Sequence, residues 1–247
     1  MQINNNIPSY NSETSESAII AYNINKNFGR SIALNSIDLE IKWGEIFVLI
    51  GSNGSGKSTL VKILSMLSTP DSGSIKIAGI DTKKNSKYLH YITGTMTHNT
   101  FLYEQLSGFE NLIFTAKLFN LKNYKDNIEK MAKRLEIYEK LFNPIYTMSH
   151  GTKKKISLIK SLLHQPNILI LDEPDSGLDL KSQENLNNII LEEKNLNKTI
   201  FLTTHNIDKA IEIGDRIGII KNGKIVNVSK AQDINKNLIE SFYSKSK

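Results

Sequence analysis

The stretch IFVLIGSNGSGKSTLVKIL, residues 46–64, decides the fold, because an apolar run leads there into a glycine-rich segment and then into a second apolar series. The continuous apolar run 46–50 predicts a buried strand. In the second series the apolar residues recur at helical spacing, which predicts a helix that includes Leu67 and is broken at Pro70. A strand, a glycine-rich loop and a helix in this order are typical of a phosphate-binding turn in an α/β fold.

The glycine-rich loop itself fits the pattern G-x-x-x-x-G-K-[ST]. Its glycines let backbone N–H groups turn inward around phosphate oxygens, and the N-terminus of the following helix adds its dipole. Lys57 can reach the β- and γ-phosphates of a nucleotide, and the hydroxyl of Ser58 can bind Mg²⁺. The predicted binding residues are Gly51, Ser52, Asn53, Gly54, Ser55, Gly56, Lys57, Ser58 and Thr59.

A second apolar run ends in acidic residues, in NILILDEP at 167–174. The run predicts a buried strand, and open parallel sheets bind their ligands at the carboxyl ends of such strands. We expect Asp172 to hold Mg²⁺ through a water molecule and Glu173 to polarise the attacking water as general base. Two acids after a strand are common, so this prediction depends on the phosphate loop upstream.

Composition limits the remaining possibilities. The chain has 247 residues, 39% of them hydrophobic, which is enough for one substantial core and a smaller lobe. The net charge is 31 − 25 = +6, and the lysines are scattered except for the pair at 83–84 and the triplet at 153–155. This distribution favours a solvated surface over a nucleic-acid interface. The chain has no cysteine, which excludes disulfides, thiolate catalysis and cysteine-bound zinc or iron–sulfur sites.

Nothing in the sequence predicts a membrane span, because no apolar run approaches the ~20 residues that a bilayer requires. If the protein works at a membrane, another chain must span it. Residues 1–17 are polar and lack the basic and apolar regions of a signal peptide, so we expect a disordered tail. Residues 235–247 are expected to form a peripheral C-terminal tail.

The rest of the chain alternates between strand and helix patterns. Residues 18–42 alternate as strands, and RIGIIKNGKIVNV predicts a hairpin that turns at Asn222-Gly223. Between about 96 and 164 the pattern is helical and predicts a helical subdomain inserted into an α/β core. We expect three helices in it. The first begins at a capping box at Ser107, the second includes Ile128 to Phe142, and the third runs from near Thr152 to the break at Pro166.

The segment MSHGT at 148–152, shortly before the acidic strand, resembles the LSGGQ signature of the ATP-binding cassette family. The similarity extends from about Ile19 to Val228 and includes SGLD, TTH, LYEQLSGFENL and DRIGIIKNGKIV as well as both halves of the phosphate site. It implies a P-loop NTPase core of the α/β class with an antiparallel β subdomain and the helical subdomain, within an ATPase domain at 18–234. It also implies hydrolysis of ATP with Mg²⁺, with Lys57 and Glu173 among the catalytic residues.

The resemblance assigns further roles one residue at a time. Phe28 stands where the family has the aromatic ring that stacks on adenine, although it could also be an ordinary core residue. Ser149 and Gly151 would contact the γ-phosphate bound to a second cassette, and Asp179 belongs to the loop that crosses between the two cassettes. His205 matches the histidine that holds the γ-phosphate and the attacking water. The implied assembly is therefore a dimer of cassettes.

Two positions depart from the family pattern. The signature lacks its first glycine and its glutamine. His98, flanked by Thr97 and Asn99, stands where most members have the glutamine that touches Mg²⁺ and senses the membrane partner. Because imidazole is a poor ligand for Mg²⁺, we expect His98 to act by hydrogen bonding or at the membrane subunit, and only indirectly on the metal. The alternative is that it lies on a solvated loop.

Among cassettes, the motifs resemble those of single-cassette exporters, which include drug-export, lipid-export and haem-export types. The predicted partners are ATP, an integral membrane permease and a second copy of the chain, with no nucleic acid. The predicted location is the cytoplasmic face of a membrane, as a peripheral protein. A soluble ATPase of an assembly pathway, such as iron–sulfur cluster assembly, is the alternative, since it also has DSGLD after its acidic pair. The cargo cannot be read from this chain.

Overall fold

The structure is a computed structural model that describes residues 17–84, 86–234 and 239. The predicted N-terminal tail lies outside the described residues except for Ser17, and the predicted C-terminal tail lies outside them except for Ile239. No helix of the described part is long and apolar enough to cross a membrane.

Strands and helices alternate along most of the described chain. The strands are β1 (Ser17–Phe28), β2 (Ser31–Lys42), β3 (Ile46–Ile50), β4 (Ser72–Ile77), β5 (Ile80–Asp81), β6 (Thr93–Met96), β7 (Ile168–Asp172), β8 (Thr199–Thr204), β9 (Arg216–Lys221) and β10 (Lys224–Lys230). The helices are α1 (Lys57–Leu64), α2 (Ser86–Ile92), α3 (Gly108–Leu118), α4 (Tyr124–Arg134), α5 (His150–Leu162), α6 (Leu180–Asn195) and α7 (Ile207–Ile213). Short 3₁₀ turns lie at Glu139–Phe142, Ile145–Thr147 and Ala231–Asp233.

The strands form two sheets, as the predicted fold class requires. The larger sheet has the order β10-β9-β3-β8-β7-β6, in which β10 is antiparallel to β9 and the other pairings are parallel. The smaller sheet is antiparallel and has the order β2-β1-β4-β5. The chain therefore has the α/β core and the antiparallel β subdomain of a P-loop NTPase.

Strand β3 lies in the middle of the large sheet, which explains why all five of its residues are apolar and buried. Phe47 and Leu49 point to one face and pack with the antiparallel sheet and α1. Ile46, Val48 and Ile50 point to the other face and pack with α3 to α7. The chain segment between β6 and β7 holds α3, α4 and α5. The limits that the sequence predicts for the helical subdomain, 96–164, stay a prediction.

Two local predictions are confirmed in detail. The hydroxyl of Ser107 accepts a hydrogen bond from the backbone N–H of Glu110 at 3.1 Å, and Glu110 Oε2 accepts one from the backbone N–H of Ser107 at 2.8 Å, so the capping box is complete. The β9–β10 hairpin turns at Asn222 and Gly223, whose φ angles of 49° and 73° belong to a type I′ turn.

Two helices end earlier than predicted, and the reason is the same in both. Helix α1 stops at Leu64, and Met66 has a φ of 60°; helix α4 stops at Arg134, and Glu136 has a φ of 58°. In each, backbone N–H groups of the next residues return to carbonyls of the last turn, as in a Schellman motif. A glycine normally signals this turn. Because neither segment has a glycine at this position, its sequence predicts a continuous helix. In the structure Leu67 lies outside α1 and is exposed.

His164 is a half-buried histidine whose surroundings favour the neutral ring. Its ring stacks on Phe119 at a centroid distance of 4.1 Å, and its Nε2 lies 3.0 Å from the carbonyl oxygen of Thr93. Its Nδ1 is buried and has no hydrogen-bond partner among the described residues. Burial lowers the pKa of His164 from 6.5 to about 4, because protonation would place a positive charge on a ring that is shielded from water. The added N–H at Nδ1 would also have no acceptor among the described residues.

This histidine should make the protein sensitive to acid. As the pH falls below 6.5, the unfolded chain takes up the proton while the folded chain does not. The free energy of unfolding should therefore be retained above pH 6.5 and fall by roughly 2–3 kcal/mol by about pH 4. Urea unfolding across this range measures the slope. His164→Asn should reduce this slope, and equal slopes in the wild type and the variant would contradict the prediction.

Candidate functional site

A cavity of about 380 Å³ opens at the carboxyl ends of β3 and β7. The parallel register brings these strand ends together, since β8 pairs with β3 at Ile50 and with β7 at Asp172. Six of the nine predicted loop residues line this cavity together with Asp172 and Glu173, although loop and acids are more than 100 residues apart in sequence; Gly51, Ser52 and Ser55 are not part of the lining. Its lining includes Gly56, Lys57, Ser58, His98, Asp172 and Glu173.

Close backbone approach explains the glycines of the loop. Gly56 has a φ of 111°, and a Cβ there would lie 2.7 Å from the carbonyl oxygen of Ala33. A Cβ on Gly51 would lie 2.5 Å from the hydroxyl of Ser55 and 2.7 Å from the carbonyl oxygen of Ile220. Neither position can accept a side chain without displacing neighbouring atoms. The two glycines therefore allow the loop to pack closely against Ala33 and Ile220 at the start of α1.

The ammonium group of Lys57 lies inside the loop and against the acidic strand. Its side chain is only 4% exposed, and Nζ donates to the carbonyl oxygens of Gly51 at 2.8 Å and Ser52 at 3.2 Å. It also lies 3.3 Å from Oε1 of Glu173. The predicted phosphate-binding cation and the predicted general base are thus in direct contact in this structure.

Glu173 lies between two groups that the sequence predicts to be catalytic. One of its carboxylate oxygens contacts Lys57, and the other lies 3.5 Å from Nδ1 of His205. Its backbone is unusual for a non-glycine residue, with a φ of 43°. Strained backbone of this kind is common at functional sites. The carboxylate is thereby directed toward the cavity, where an attacking water would need a base.

Thr203 is a site residue that the sequence did not predict. Its hydroxyl donates to Oδ1 of Asp172 at 2.7 Å and accepts from the backbone N–H of Glu173 at 3.0 Å. It lies opposite Asp172 in the β7–β8 pairing, two residues before His205. The sequence signal for Thr203 is the TTH motif, in which the resemblance assigns a role only to the histidine.

The donor atoms at the cavity fit Mg²⁺. Ser58 offers a hydroxyl oxygen and Asp172 a carboxylate oxygen, and both are the hard ligands that Mg²⁺ prefers. No group of three His, Cys, Asp or Glu residues that could hold a metal ion occurs among the described residues. Mg²⁺ usually takes one or two protein ligands plus phosphate and water, so two protein oxygens suit a cation that arrives with a nucleotide.

Phe28, Ser149 and Asp179 do not line this cavity as described. Phe28 is 57% exposed, which excludes the alternative that it is a core residue, and it pairs with Ser31 at the cavity wall. Ser149 is exposed and caps α5 by accepting from the backbone N–H of Thr152 at 3.3 Å. Asp179 caps α6 through Ser182 at 2.8 Å, and the hydrogen bonds from Ser182 lower the pKa of its carboxyl group.

The signature segment also contacts the loop that carries Asp179. A Cβ on Gly151 would lie 3.3 Å from the carbonyl oxygen of Gly177, so the start of α5 packs closely on this loop. His150, the residue that replaces the usual glycine, has its ring centroid 5.8 Å from that of His98. His98 is on the exposed loop after β6 and lines the cavity, so it is close to both the phosphate site and the signature.

One lysine departs from the solvated surface that the composition predicts for the lysines as a whole. The Lys154 side chain is 1% exposed. Helix α5 directs it inward, under the acidic strand, where its ammonium group donates to the carbonyl oxygen of Glu173 at 2.8 Å. Three consecutive lysines on a helix point in three directions, so one of them can face the core.

Comparisons with known proteins agree with this geometry. The model of the ABC transporter family matches residues 34–176. The chain is 36% identical over 222 residues to a sulfate/thiosulfate import ATP-binding protein CysA of Mesostigma viride, and the match covers 88% of the chain and 63% of that relative. It is 31% identical to the linearmycin resistance ATP-binding protein LnrL of Bacillus subtilis, and this match covers 87% of the chain and 70% of the relative.

A solved structure supports the same assignment. The dimeric structure of MJ0796, a bacterial ABC transporter cassette, is 25% identical with a TM-score of 0.78 and covers 86% of this chain and 98% of that one. The family model alone spans more than half of the sequence. This chain therefore belongs to the ABC transporter family, as one of its ATP-binding cassettes.

Proposed function

We propose that the chain is the ATP-hydrolysing motor subunit of an ABC transporter, and that it acts as a head-to-tail pair of cassettes on a membrane permease. The observation that carries this proposal is the position of Glu173, whose two carboxylate oxygens lie 3.3 Å from Lys57 and 3.5 Å from His205 at the edge of the cavity. These are a base, a cation and a hydrogen-bonding group around one point.

The chemistry follows from these contacts. The phosphate loop and the start of α1 bind the β- and γ-phosphates, with Lys57 placed among them. Ser58 and Asp172 would hold Mg²⁺, which would supply positive charge to the phosphate oxygens. Glu173 accepts a proton from the water that attacks the γ-phosphorus, and His205 orients that water and the γ-phosphate. Phe28, exposed at the end of β1, offers its ring to the adenine.

A second copy completes the site. Ser149 and Gly151 lie at the start of α5 and do not line the cavity of their own chain as described. The start of a helix attracts an anion, because its first N–H groups lack partners within the helix. In a head-to-tail pair, this end of α5 faces the γ-phosphate of the other chain. The dimeric cassette structure among the similar proteins supports this arrangement.

The direction of transport is a narrower proposal. We favour export, because the signature region resembles single-cassette exporters, and one similar protein is a linearmycin resistance ATP-binding protein. Another similar protein is an importer subunit for sulfate or thiosulfate, so similarity alone does not decide the direction. Haem export is a still narrower proposal that rests on His98 at the cavity. In each case the protein would sit at the cytoplasmic face of the membrane.

The test is to purify the tagged chain from detergent-solubilised membranes of its own cells. We expect Mg²⁺-dependent ATP hydrolysis and an integral membrane protein in the same complex. The Lys57→Ala variant should recover the same membrane protein without hydrolysis. If the active chain instead purifies only with soluble partners, the motor assignment is wrong and a soluble assembly ATPase replaces it.

A further inference from the structure

Lys154 is a fully buried cation whose three N–H donors all have acceptors. Its ammonium group donates to the carbonyl oxygens of Glu173 and Ser176, both at 2.8 Å, and to the hydroxyl of Ser176. A lysine ammonium has three donors and no acceptor, so its hydrogen-bonding capacity is used completely. A buried charge is tolerated only with such partners.

Those partners are the two ends of the turn that carries the general base. The backbone N–H of Ser176 donates to the carbonyl oxygen of Glu173 at 3.2 Å, which closes a turn over residues 173–176. Lys154 donates to this same carbonyl oxygen of Glu173, at the start of the turn, and to the carbonyl oxygen of Ser176, at its end. The ammonium group therefore connects α5 to this turn.

The backbone on both sides of the Glu173 Cα atom is thereby held. Its N–H donates to the carbonyl oxygen of Thr203 at 3.2 Å and to the Thr203 hydroxyl at 3.0 Å, while its C=O accepts from Lys154. Between these anchors the residue adopts its left-handed φ of 43°. A non-glycine residue keeps such a conformation only when its surroundings enforce it. The direction of the side chain follows from the two fixed peptide groups.

The surrounding charges agree with a retained cation. Burial lowers the pKa of Lys154, while the negative charges of Asp175, Glu173 and Asp172 act in the opposite direction. Lys209 repels it but is itself 3.4 Å from Asp175. The acidic groups thus compensate a positive charge that the core would otherwise exclude.

We propose that Lys154 is a positioning residue for hydrolysis, which holds the main chain of Glu173 so that its carboxylate faces Lys57, His205 and the attacking water. This role rests on the proposed function, because it acts through the general base. It goes beyond the contacts of the nucleotide, since Lys154 is buried beneath the site and does not line the cavity as described.

Lys154→Met tests the proposal, because it keeps the aliphatic stem and removes the three donors. We expect kcat for ATP hydrolysis to fall about 10- to 100-fold, as for a misplaced catalytic group. KM and the affinity for a fluorescent ATP analogue should stay within about twofold, because the hydrogen bonds of Lys154 among the described residues go to Glu173 and Ser176 and not to the phosphate loop. Lys155→Met is the matched control; its ammonium group donates to the carbonyl oxygen of Leu135 at 3.0 Å, and kcat should remain at the wild-type value.

A double-mutant cycle separates positioning from general stabilisation. In a Glu173→Gln background, adding Lys154→Met should change the residual rate less than about twofold, because the carboxylate it positions is already gone. A purely structural role would lower the rate equally in both backgrounds and would overturn the proposal, as would a wild-type kcat in folded Lys154→Met.

If Lys154→Met does not fold, Lys154→Gln decides by the same criteria. If neither folds, the positioning role is rejected in favour of a structural one. Failure of the proposed function is a different result, namely no Mg²⁺-dependent hydrolysis by the wild-type chain.

Discussion

Glu173→Gln is expected to bind ATP normally and to hydrolyse it about 10²–10⁴-fold more slowly, which is the usual effect of losing a general base. The amide has nearly the same size as the carboxylate, so the loop and Lys57 keep their places. The amide cannot accept a proton from water, so the hydrolysis of bound ATP is slowed. The variant should also accumulate as a nucleotide-bound dimer, because hydrolysis no longer releases the paired cassettes.

Single-turnover hydrolysis and size-exclusion chromatography with ATP measure the two effects. Glu192→Gln is a suitable control, since Glu192 forms an exposed ion pair with Arg134 and neither residue lines the cavity as described. It should hydrolyse ATP like the wild type, because exposed pairs contribute little. Turnover near the wild-type rate in Glu173→Gln would show that another group is the base.

Ser149→Arg and Lys57→Ala are each expected to be almost inactive, and mixing them should restore part of the activity. Lys57→Ala loses the cation of the phosphate loop, and Ser149→Arg loses the cap of α5 and places a large side chain at the predicted dimer contact. A mixed dimer has one intact composite site and one site with both defects. Random pairing at equal amounts should then give at most about a quarter of the wild-type sites.

The measurement is the rate of phosphate release before and after mixing, at a protein concentration at which the wild type dimerises. Either variant mixed with itself is the control and should gain nothing. Recovery requires that one intact site can turn over alone. The two-cassette proposal fails if a protein shown to be monomeric under assay conditions has full activity.

Short-range patterns account for the features that were predicted correctly. The strand, glycine-rich loop and helix at 46–64, the capping box at Ser107 and the Asn222-Gly223 hairpin each depend on residues within a few positions of one another. Their hydrogen bonds form inside the segment, so the residue types alone restrict the backbone. The fold class followed from the same kind of pattern, because buried parallel strands are continuous apolar runs.

Local patterns failed where a distant contact overrides them. Helices α1 and α4 end at left-handed Met66 and Glu136, which carry no glycine signal. Ile137 follows the turn after α4 and is 2% exposed. Burial of its side chain accompanies the left-handed conformation of Glu136, which a non-glycine residue rarely adopts. Helical periodicity continues through both positions and cannot show that the chain turns.

By itself the sequence determined the α/β cassette fold, the glycine-rich loop between β3 and α1, and the identity of the acids at the end of β7. Only the tertiary structure decided that Lys154 is buried under Glu173 and that Thr203 binds both Asp172 and the Glu173 backbone. The physical reason is that loop and strand patterns arise from neighbouring residues, whereas these contacts join α5, β7 and β8. Which of three adjacent lysines faces the core depends on the rotation of α5 against the sheet, and packing sets that rotation.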